Sequence, residues 1–193
     1  RPWQNHGYVP LLAHGRAAAV ATGIKRALPD SIVFTYQGDG DLAAIGLSEI
    51  MCAANRGEKF TVVFINNSTY GMTGGQLAPT TLIGQKSTTT PLGRQVYPDG
   101  YPMDMCKLLS TLQAPSYIAR CSLSSPANVR KAKEAIKKAF QYQIDGKAFS
   151  FVELLSNCVT NWNMTPLDSL KHIDEVTSKV FPLGVFRDID KGV

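Results

Sequence analysis

The feature that most constrains this chain is a strand–helix–strand pattern with a turn rich in glycine and aspartate inside it. The predicted elements are a buried strand at residues 31–37, a helix at residues 42–56 and a second buried strand at residues 60–65. Gly38-Asp39-Gly40-Asp41 forms a first turn after the first strand, and Asn66-Asn67 leads from the second strand into a second turn, residues 67–72. Neighbouring parallel strands place both turns at the same edge of the sheet, where open α/β sheets bind ligands.

The residues of the first turn indicate the kind of ligand. Glycines allow close approach of the backbone, and a helix start offers amide groups and a positive dipole end, both of which suit phosphate. Asp39 and Asp41 would repel a bare phosphate, but a divalent cation attracts carboxylate and phosphate oxygens together. Asp39, the amide oxygen of Asn67, a backbone carbonyl just beyond it, two diphosphate oxygens and a water would complete the octahedral set of oxygens that Mg²⁺ prefers. The predicted ligand is therefore a Mg²⁺-diphosphate.

Two other interpretations of the first turn stay open on these residues. Residues 38–44, Gly-Asp-Gly-Asp-Leu-Ala-Ala, also fit the dinucleotide fingerprint G-x-G-x-x-A after a strand. That fingerprint expects an acidic residue at the end of the next strand to hold a ribose, and Asn66-Asn67 stands there instead. The second alternative is an ordinary tight turn, which leaves the second aspartate and the paired asparagines without a role.

The remaining pattern predicts a single α/β domain over residues 1–193, with a doubly wound, mostly parallel sheet flanked by helices. The other predicted elements are helices at 13–28, 105–112, 126–142 and 166–180, and strands at 116–121 and 149–155. Residues 68–103 form a long connection without clear periodicity, and such connections are usually functional. Because the order opens on a helix, we expect a sheet entered partway, as in a chain cut at its amino terminus from a longer parent.

Composition narrows the class of protein. Hydrophobic residues make up 44% of the chain and charged residues 18%, which is typical of globular proteins. No apolar run approaches the ~20 residues needed to cross a membrane. The net charge of +5 has its local source in the helix at 126–142, whose lysines and arginines we interpret as a solvated face and not as a nucleic-acid site. Four cysteines without a C-x-x-C pair favour the reducing cytoplasm.

Longer motifs around both turns resemble the β subunit of 2-oxoacid:ferredoxin oxidoreductases. Asp39 lies 28 positions ahead of Asn67, which is similar to the G-D-G…N-N signature of thiamine diphosphate enzymes. The most specific segment is Asn67-Ser68-Thr69-Tyr70-Gly71-Met72-Thr73-Gly74-Gly75-Gln76, accompanied by Pro79-Thr80-Thr81 and Ala13-His14-Gly15-Arg16. The resemblance extends over residues 13–186 and is greatest to the enzymes of 2-oxoglutarate and branched-chain 2-oxoacids. It implies the thiamine diphosphate-binding fold.

This resemblance also implies a set of site residues. The residues implied to bind Mg²⁺ are Asp39, Asn67 and, through its backbone carbonyl, Thr69. The residues implied to contact the diphosphate are Gly40 and Asp41 in the first turn and Gly71 and Met72 in the second. His14 would approach the cofactor from the start of the first helix. Asp39 and Asn67 follow independently from the turn chemistry above, whereas the others rest on the resemblance.

Cys158, in the segment Ser156–Trp162, resembles the last iron–sulfur ligand of the family. The family's other thiolates come from an amino-terminal Cys-x-x-Cys segment and a further upstream cysteine, and this sequence contains no such segment. Cys52, Cys106 and Cys121 fall in a predicted helix, another predicted helix and a predicted strand, and are interpreted as buried free thiols. We therefore expect a [4Fe-4S] cluster in a full-length parent only.

The implied reaction is the oxidative decarboxylation of a 2-oxoacid to an acyl-CoA, with electrons passed to ferredoxin, and the cofactor supplies its chemistry. Glu49 lies well inside the predicted helix, away from the turn, and Glu58 lies just before a strand, so we interpret both as surface or helix-face residues. The resemblance implies that the catalytic glutamate comes from the partner α subunit. Two alternatives stay open: a non-redox decarboxylase or carboligase, and a catalytically silent assembly module. The sequence does not select the 2-oxoacid. Lys86 and Arg94 are candidates to face a dicarboxylate.

Overall fold

The computed structural model describes residues 10–192, and their centre is a five-stranded sheet. The strands in chain order are β1 (Phe34–Gly38), β2 (Thr61–Asn66), β3 (Tyr117–Ser122), β4 (Ser150–Leu155) and β5 (Gly184–Asp188). Across the sheet they lie in the order β1-β2-β4-β3-β5. The first four run parallel to their neighbours, and β5 is antiparallel to β3. The predicted α/β architecture with a mostly parallel sheet is confirmed.

Helices cover both faces of this sheet. They are α1 (Ala17–Ala27), α2 (Leu47–Asn55), α3 (Met105–Ser110), α4 (Pro126–Ile144), α5 (Val159–Trp162), α6 (Pro166–His172) and α7 (Ser178–Val180), with π-helical segments at Gly40–Ile45 and Ile173–Thr177. α1, α2 and α3 pack on one face, against side chains such as Phe64, and α4 packs on the other, against Val63 and Val152. Successive strand side chains alternate between faces, so two apolar layers result. No helix within residues 10–192 combines the length and the hydropathy that a bilayer crossing needs.

The longest helix shows how local sequence sets an element. Ser125 caps α4 by accepting a hydrogen bond from the Asn128 amide, and Pro126 occupies the first turn. The buried residues of α4 recur at helical spacing and include Ala132, Ala135, Ala139 and Tyr142. Of the basic residues of α4, Arg130, Lys131, Lys133 and Lys137 are exposed, whereas Lys138 is half-buried and paired with Asp188. This arrangement is the solvated face that the charge pattern predicts.

The structure differs from the predictions at one sheet edge and at several element ends. β1 is an edge strand of the described sheet, so Phe34 and Tyr36 are 47% and 70% exposed, and the prediction of a fully buried strand is wrong. The helix predicted at 42–56 is divided at Gly46 into a π-helical segment and α2. α5 and β5 were not predicted, because both are short and lie beside residues that commonly interrupt regular structure.

The long connection, residues 68–103, contains no helix or strand, as predicted. It is ordered by isolated bridges that pair Tyr70 with Gln76 and Ile83 with Arg94. The Met103 amide also donates to the Pro79 carbonyl at 2.9 Å, which closes the connection on itself. The segment is therefore a fixed irregular structure that begins at the carboxyl end of β2.

Candidate functional site

The two turns meet at the carboxyl edge of the sheet. β1 and β2 are parallel and in register, with Gly38 opposite Ile65, so the chain leaves both strands at the same level. The Thr69 amide of the second turn donates a hydrogen bond of 3.0 Å to Oδ2 of Asp39 in the first turn. The juxtaposition predicted from the strand–helix–strand pattern is therefore present.

Asp39 is a buried carboxylate, 2% exposed, and it accepts several hydrogen bonds. Its donors are the Gly40 amide at 2.9 Å, the Thr69 amide at 3.0 Å and the Thr80 hydroxyl at 2.7 Å. Burial raises the pKa of the Asp39 carboxyl to about 6, although these hydrogen bonds oppose the shift. Among residues 10–192 no basic side chain forms an ion pair with it. A divalent cation would supply the positive charge that such a buried carboxylate requires.

The second turn adds oxygen atoms next to this carboxylate. Oδ1 of Asn67 receives only a long contact of 3.4 Å from the Thr69 amide. Within residues 10–192 no donor reaches the Thr69 carbonyl oxygen, whereas the Thr69 hydroxyl is bonded to the Gln76 carbonyl at 3.1 Å. A carboxylate, an amide oxygen and a backbone carbonyl are all hard oxygen donors of the kind Mg²⁺ selects. The residues present therefore fit a magnesium ion.

Asp41 has a different environment from Asp39. Its Oδ1 accepts a 2.5 Å hydrogen bond from the Gly15 amide and lies 3.2 Å from Nδ1 of His14, and its Oδ2 accepts from Gln37 at 2.8 Å. The carboxylate thus holds the segment before α1 against the first turn. Asp41 differs from Asp39 in burial, since its side chain is 17% exposed, so the argument for a cation is carried by Asp39. His14 is placed beside the first turn by this contact, with its side chain 73% exposed.

Gly40 is required by its neighbour Tyr70. The Tyr70 hydroxyl donates to the Gly40 carbonyl at 3.0 Å, and its ring lies over the glycine. A Cβ at position 40 would be 2.2 Å from that ring, far inside van der Waals contact. At Gly38, by contrast, a Cβ would meet nothing within 4 Å. The first turn is therefore closed on the Gly40 side by the second turn and open beside Gly38.

Helix α5, which the sequence pattern did not predict, donates side-chain hydrogen bonds to backbone carbonyls of the second turn. The Trp162 indole donates to the Asn67 carbonyl at 3.0 Å, and the Asn161 amide donates to the Gly71 carbonyl at 2.9 Å. The same Asn161 amide lies 3.2 Å from the sulfur of Cys158. The sequence signal for this contact was weak, since a tryptophan after β4 could equally have served the core.

Cys158 adjoins the second turn, and it is a free cysteine. A Cβ on Gly71 would lie 3.6 Å from the Cys158 sulfur, while Met72, the next residue, is 98% exposed. The other cysteines are free; Cys106 is buried, Cys121 is half-buried and Cys52 is exposed, so the prediction of burial is wrong for Cys52. Within residues 10–192 no group of three or more His, Cys, Asp or Glu side chains is arranged to hold a metal ion. The magnesium donors described above combine one carboxylate with amide and carbonyl oxygens and so form a different kind of set.

Arg94 is not available to a substrate, contrary to its candidacy. It is 5% exposed, and its guanidinium donates to six backbone carbonyls of the long connection. These carbonyls belong to Ala78, Pro79, Thr81, Asp99, Gly100 and Tyr101. Lys86 is exposed and lines a depression of about 280 Å³ together with Gly75 and Asn161. Of the two candidates, Lys86 alone keeps an accessible charge.

The two glutamates considered earlier are held in ion pairs. Glu49 pairs with Arg16, and Glu58 pairs with Arg26 at 2.5 Å and with Arg56 at 2.8 Å. Glu58 is 8% exposed, so its interpretation as a surface residue is wrong, but its role is structural. A cavity of about 650 Å³ near Glu58 lies before the starts of β1 and β2, at the opposite end of these strands from the two turns.

Comparisons with known proteins agree with this geometry. Residues 1–154 match the family described as "Thiamine pyrophosphate enzyme, C-terminal TPP binding domain". The ketoisovalerate oxidoreductase subunit VorA of Methanothermobacter thermautotrophicus is 54% identical over 177 residues, which are 92% of this chain and 37% of that protein. The 2-oxoglutarate synthase subunit KorB of Archaeoglobus fulgidus is 44% identical over 162 residues, 84% of this chain and 56% of that protein. The chain thus spans less than two thirds of each of these relatives.

A solved structure supports the same assignment of the fold. The 2-oxoglutarate:ferredoxin oxidoreductase from Magnetococcus marinus, with 2-oxoglutarate, coenzyme A and succinyl-CoA bound, superposes with a TM-score of 0.72. The match covers 91% of this chain and 62% of that chain at 25% sequence identity. The thiamine diphosphate-binding fold expected from the sequence motifs is therefore confirmed.

Proposed function

The chain belongs to the thiamine pyrophosphate enzymes, as a relative of 2-oxoacid oxidoreductase subunits, and we propose that it carries the thiamine diphosphate site of a 2-oxoacid:ferredoxin oxidoreductase. The proposed reaction is the oxidative decarboxylation of a 2-oxoacid to an acyl-CoA, with electrons passed to ferredoxin. The observation that carries this proposal is the buried Asp39 carboxylate, which has no ion-pair partner within residues 10–192 and is bonded to the second turn.

In this proposal Mg²⁺ is held by Asp39, Asn67 and the backbone carbonyl of Thr69. The support is their common environment: one buried carboxylate, one amide oxygen with a single long contact, and one carbonyl without a donor among the described residues. Mg²⁺ keeps several ligand positions for water and for substrate phosphates, so three protein donors with two diphosphate oxygens suit it. A cation here would also offset the desolvation of Asp39.

The cofactor's diphosphate would lie between the two turns. We propose that Gly40 and Asp41 in the first turn, and Gly71 and Met72 in the second, contact it, with Gly40 contributing close approach because both of its backbone polar groups are already bonded. The side chain of Asp41 is already bonded to Gly15 and Gln37, so its contribution would come from the main chain. His14, held near by the Asp41 carboxylate, would approach the cofactor from the segment before α1.

When bound, thiamine diphosphate would supply a thiazolium ring whose deprotonated carbon adds to the 2-oxo carbon and whose cationic ring delocalises the electron pair left by departing CO₂. The described residues would bind and orient the diphosphate, and Met72 would border the reacting end. Glu49 and Glu58 are engaged in ion pairs, so we propose that the glutamate facing the aminopyrimidine comes from a partner α subunit. The 2-oxoacid, coenzyme A and ferredoxin are the remaining proposed partners, and the cytoplasm is the proposed location.

We further propose that Cys158 is one thiolate of a [4Fe-4S] cluster. Its support is its position beside Gly71, close to the proposed diphosphate site, and its hydrogen-bond contact with Asn161. A cubane cluster needs several thiolates, so the others would have to come from outside residues 10–192. Iron and sulfide content of the full-length wild-type protein and its Cys158→Ser variant tests this; an unchanged content would remove Cys158 from the ligand set.

For the substrate we propose a branched-chain 2-oxoacid. Identity is greater to the ketoisovalerate subunit than to the 2-oxoglutarate subunit compared above, and the donors of Arg94 are occupied by carbonyls. A panel of 2-oxoisovalerate, 2-oxoglutarate and pyruvate on the complete complex tests this choice. A higher kcat/KM for 2-oxoglutarate, lost in a Lys86→Ala variant, would assign Lys86 to a dicarboxylate instead.

The decisive experiment on the metal site is reloading. The complete complex is stripped of cofactor with EDTA, incubated with thiamine diphosphate over a series of free Mg²⁺ concentrations, and bound cofactor is measured after gel filtration. We expect retention to depend on Mg²⁺ and to fall at least tenfold in Asp39→Asn and Asn67→Ala. Asp30→Asn, which changes an exposed carboxylate after α1, is the matched control and should load like wild type. Binding that ignores Mg²⁺ would refute the proposed metal bridge.

Product analysis separates the proposed activity from its alternatives. The oxidoreductase forms acyl-CoA and reduces ferredoxin in the same assay. Aldehyde or a carboligation product without reduced ferredoxin would identify a non-redox thiamine diphosphate enzyme. A complex whose turnover is unaffected when this chain carries Asp39→Asn would identify an assembly module.

A further inference from the structure

The residue before the proposed metal ligand Asn67 is itself held by a buried network. Asn66 ends β2 and is fully buried. Its amide nitrogen donates to Oε1 of Glu153 at 2.7 Å, and its amide oxygen accepts the backbone N–H of Ser68 at 3.1 Å. Ser68 has a φ of 58°, a left-handed conformation that is unusual for a residue with a side chain. The Asn66 side chain therefore supports the backbone of the second turn at its least favourable point.

Glu153 lies at the centre of the sheet with no exposure. It stands on β4 opposite Phe64 of β2 and Arg120 of β3. Its Oε2 accepts from the Arg120 guanidinium at 2.8 Å and from the Cys106 thiol at 3.1 Å. Arg120 is fully buried as well, and it is paired with Asp104 besides Glu153. These contacts satisfy one carboxylate oxygen, and they leave Oε1 to Asn66.

The charge of Glu153 determines which way the Asn66 amide points. A carboxylate only accepts hydrogen bonds, so the NH₂ end of Asn66 must face Glu153 and the oxygen must face the Ser68 amide. With the opposite orientation, the Asn66 oxygen would face a carboxylate oxygen at hydrogen-bond distance, and the Ser68 N–H would face an NH₂ group. A neutral acceptor–donor group at position 153 would permit either orientation. The carboxylate removes that freedom.

We propose that Glu153 is a positioning residue for the magnesium-binding turn, acting through the amide of Asn66 on Ser68 and so on Asn67 and Thr69. This inference rests on the proposed function. Fold stability alone does not account for the arrangement, because buried ion pairs such as Arg120–Glu153 are often no more stabilising than apolar residues of similar volume. Through the hydrogen bonds from Asn66 to Glu153 and from Ser68 to Asn66, the buried carboxylate affects the backbone of the second turn at the proposed cofactor site.

The experiment uses the reloading assay on the complete complex. Glu153→Gln keeps the shape of the side chain but can present an NH₂ group to Asn66. We expect the free Mg²⁺ needed for half-loading with thiamine diphosphate to rise about tenfold, the factor that corresponds to losing one hydrogen bond to a charged group. Cys106→Ala, which removes a donor from the other oxygen of the same carboxylate, is the matched control and should load at wild-type Mg²⁺.

A double substitution provides the rescue that a merely structural role would not. In Asn66→Asp with Glu153→Gln, the carboxylate and the amide exchange places, so an acceptor again faces the Ser68 amide and a donor–acceptor pair again joins positions 66 and 153. The double variant should load within about threefold of wild type, whereas Asn66→Asp alone places two carboxylates together and should load poorly.

Several outcomes would overturn the inference. Wild-type Mg²⁺ dependence in Glu153→Gln, an equal shift in Cys106→Ala, or no rescue in the double variant would each show that Glu153 does not position the turn. If Glu153→Gln does not assemble, the comparison of the double variant with Asn66→Asp decides alone. Loading of the wild type that ignores Mg²⁺ would refute the metal site itself, whatever the variants do.

Discussion

Replacing Arg94 with lysine should loosen the long connection while leaving the sheet folded. The Arg94 guanidinium is 5% exposed and joins six carbonyls that lie between Ala78 and Tyr101. Lysine carries its donors on a single atom and cannot reach carbonyls on both sides of that fork. We therefore expect at least half of the six hydrogen bonds to be lost, with the charge retained.

The magnitude follows from those bonds. Three lost hydrogen bonds at a net value of about 1 kcal/mol each lower the free energy of opening of the connection by about 3 kcal/mol. Since about 1.4 kcal/mol corresponds to a factor of ten, amide protection in residues 78–103 should fall roughly a hundredfold. β2 and β4, which the guanidinium does not contact, should keep their protection.

Hydrogen exchange measured by mass spectrometry resolves the two regions. Lys86→Ala is the matched control, because it removes an exposed cation from the same connection and should change protection by less than about twofold. Unchanged protection of residues 78–103 in Arg94→Lys, or a loss spread equally over the strands, would refute the reasoning. If Arg94→Lys changed only the KM for dicarboxylic 2-oxoacids, Arg94 would instead be assigned to substrate binding.

Three further predictions concern the two turns and the pH dependence. Gly40→Ala should lower the free energy of unfolding by about 1–3 kcal/mol in urea titrations, because its methyl group would lie 2.2 Å from the Tyr70 ring. Gly38→Ala, whose methyl group would meet nothing within 4 Å, should be neutral, and equal effects of the two substitutions would contradict the packing. Trp162→Phe removes the indole bond to the second turn and should reduce cofactor retention at limiting Mg²⁺ about fivefold, and wild-type retention would argue against that bond. Burial alone would raise the pKa of Asp188, but hydrogen bonds from Lys138 and Tyr142 lower this pKa below its usual range. The Asp188 carboxylate therefore stabilises the fold above about pH 4, and this contribution is lost as the pH falls further. Between about pH 5 and pH 2, the free energy of unfolding from urea titrations should therefore fall more steeply with decreasing pH in wild type than in Asp188→Asn. Parallel pH dependences of the two proteins would refute the assignment.

Local sequence was sufficient for most of the fold. β2 has a continuous apolar run, β3 and β4 are each mostly apolar around one buried charged residue, and α4 shows regular spacing of its buried residues, so these elements could be predicted without tertiary information. The burial of β1 could not be predicted, because its aromatic residues Phe34 and Tyr36 lie at a sheet edge that local sequence cannot identify, while Thr35 and Gln37 are buried. β5 pairs with β3, which lies far back in the sequence, as Asp188 opposite Tyr117 shows, and a short strand defined by such a distant partner leaves little local signal.

The site was predictable to the extent that its residues lie at the ends of consecutive strands. Asp39 and Thr69 meet because the strand–helix–strand unit brings them together, and the unit is visible in the sequence. The partners of Asp41 and Arg94 could not be predicted, because an acidic or basic residue in a turn shows its charge but not its partners. The Gly15 amide and the carbonyls of the long connection are backbone groups, which every sequence contains.

The contacts of α5 with the second turn have a consequence for the order in which the protein is made. The bonds from Asn161 to Gly71 and from Trp162 to Asn67 span 90 and 95 positions of sequence. A nascent chain that has emerged only as far as β4 contains both turns and the whole parallel part of the sheet, but it lacks these two donors. Contacts of such long range form late, so the proposed pocket for the vitamin-derived cofactor should mature only after residue 162 has left the ribosome.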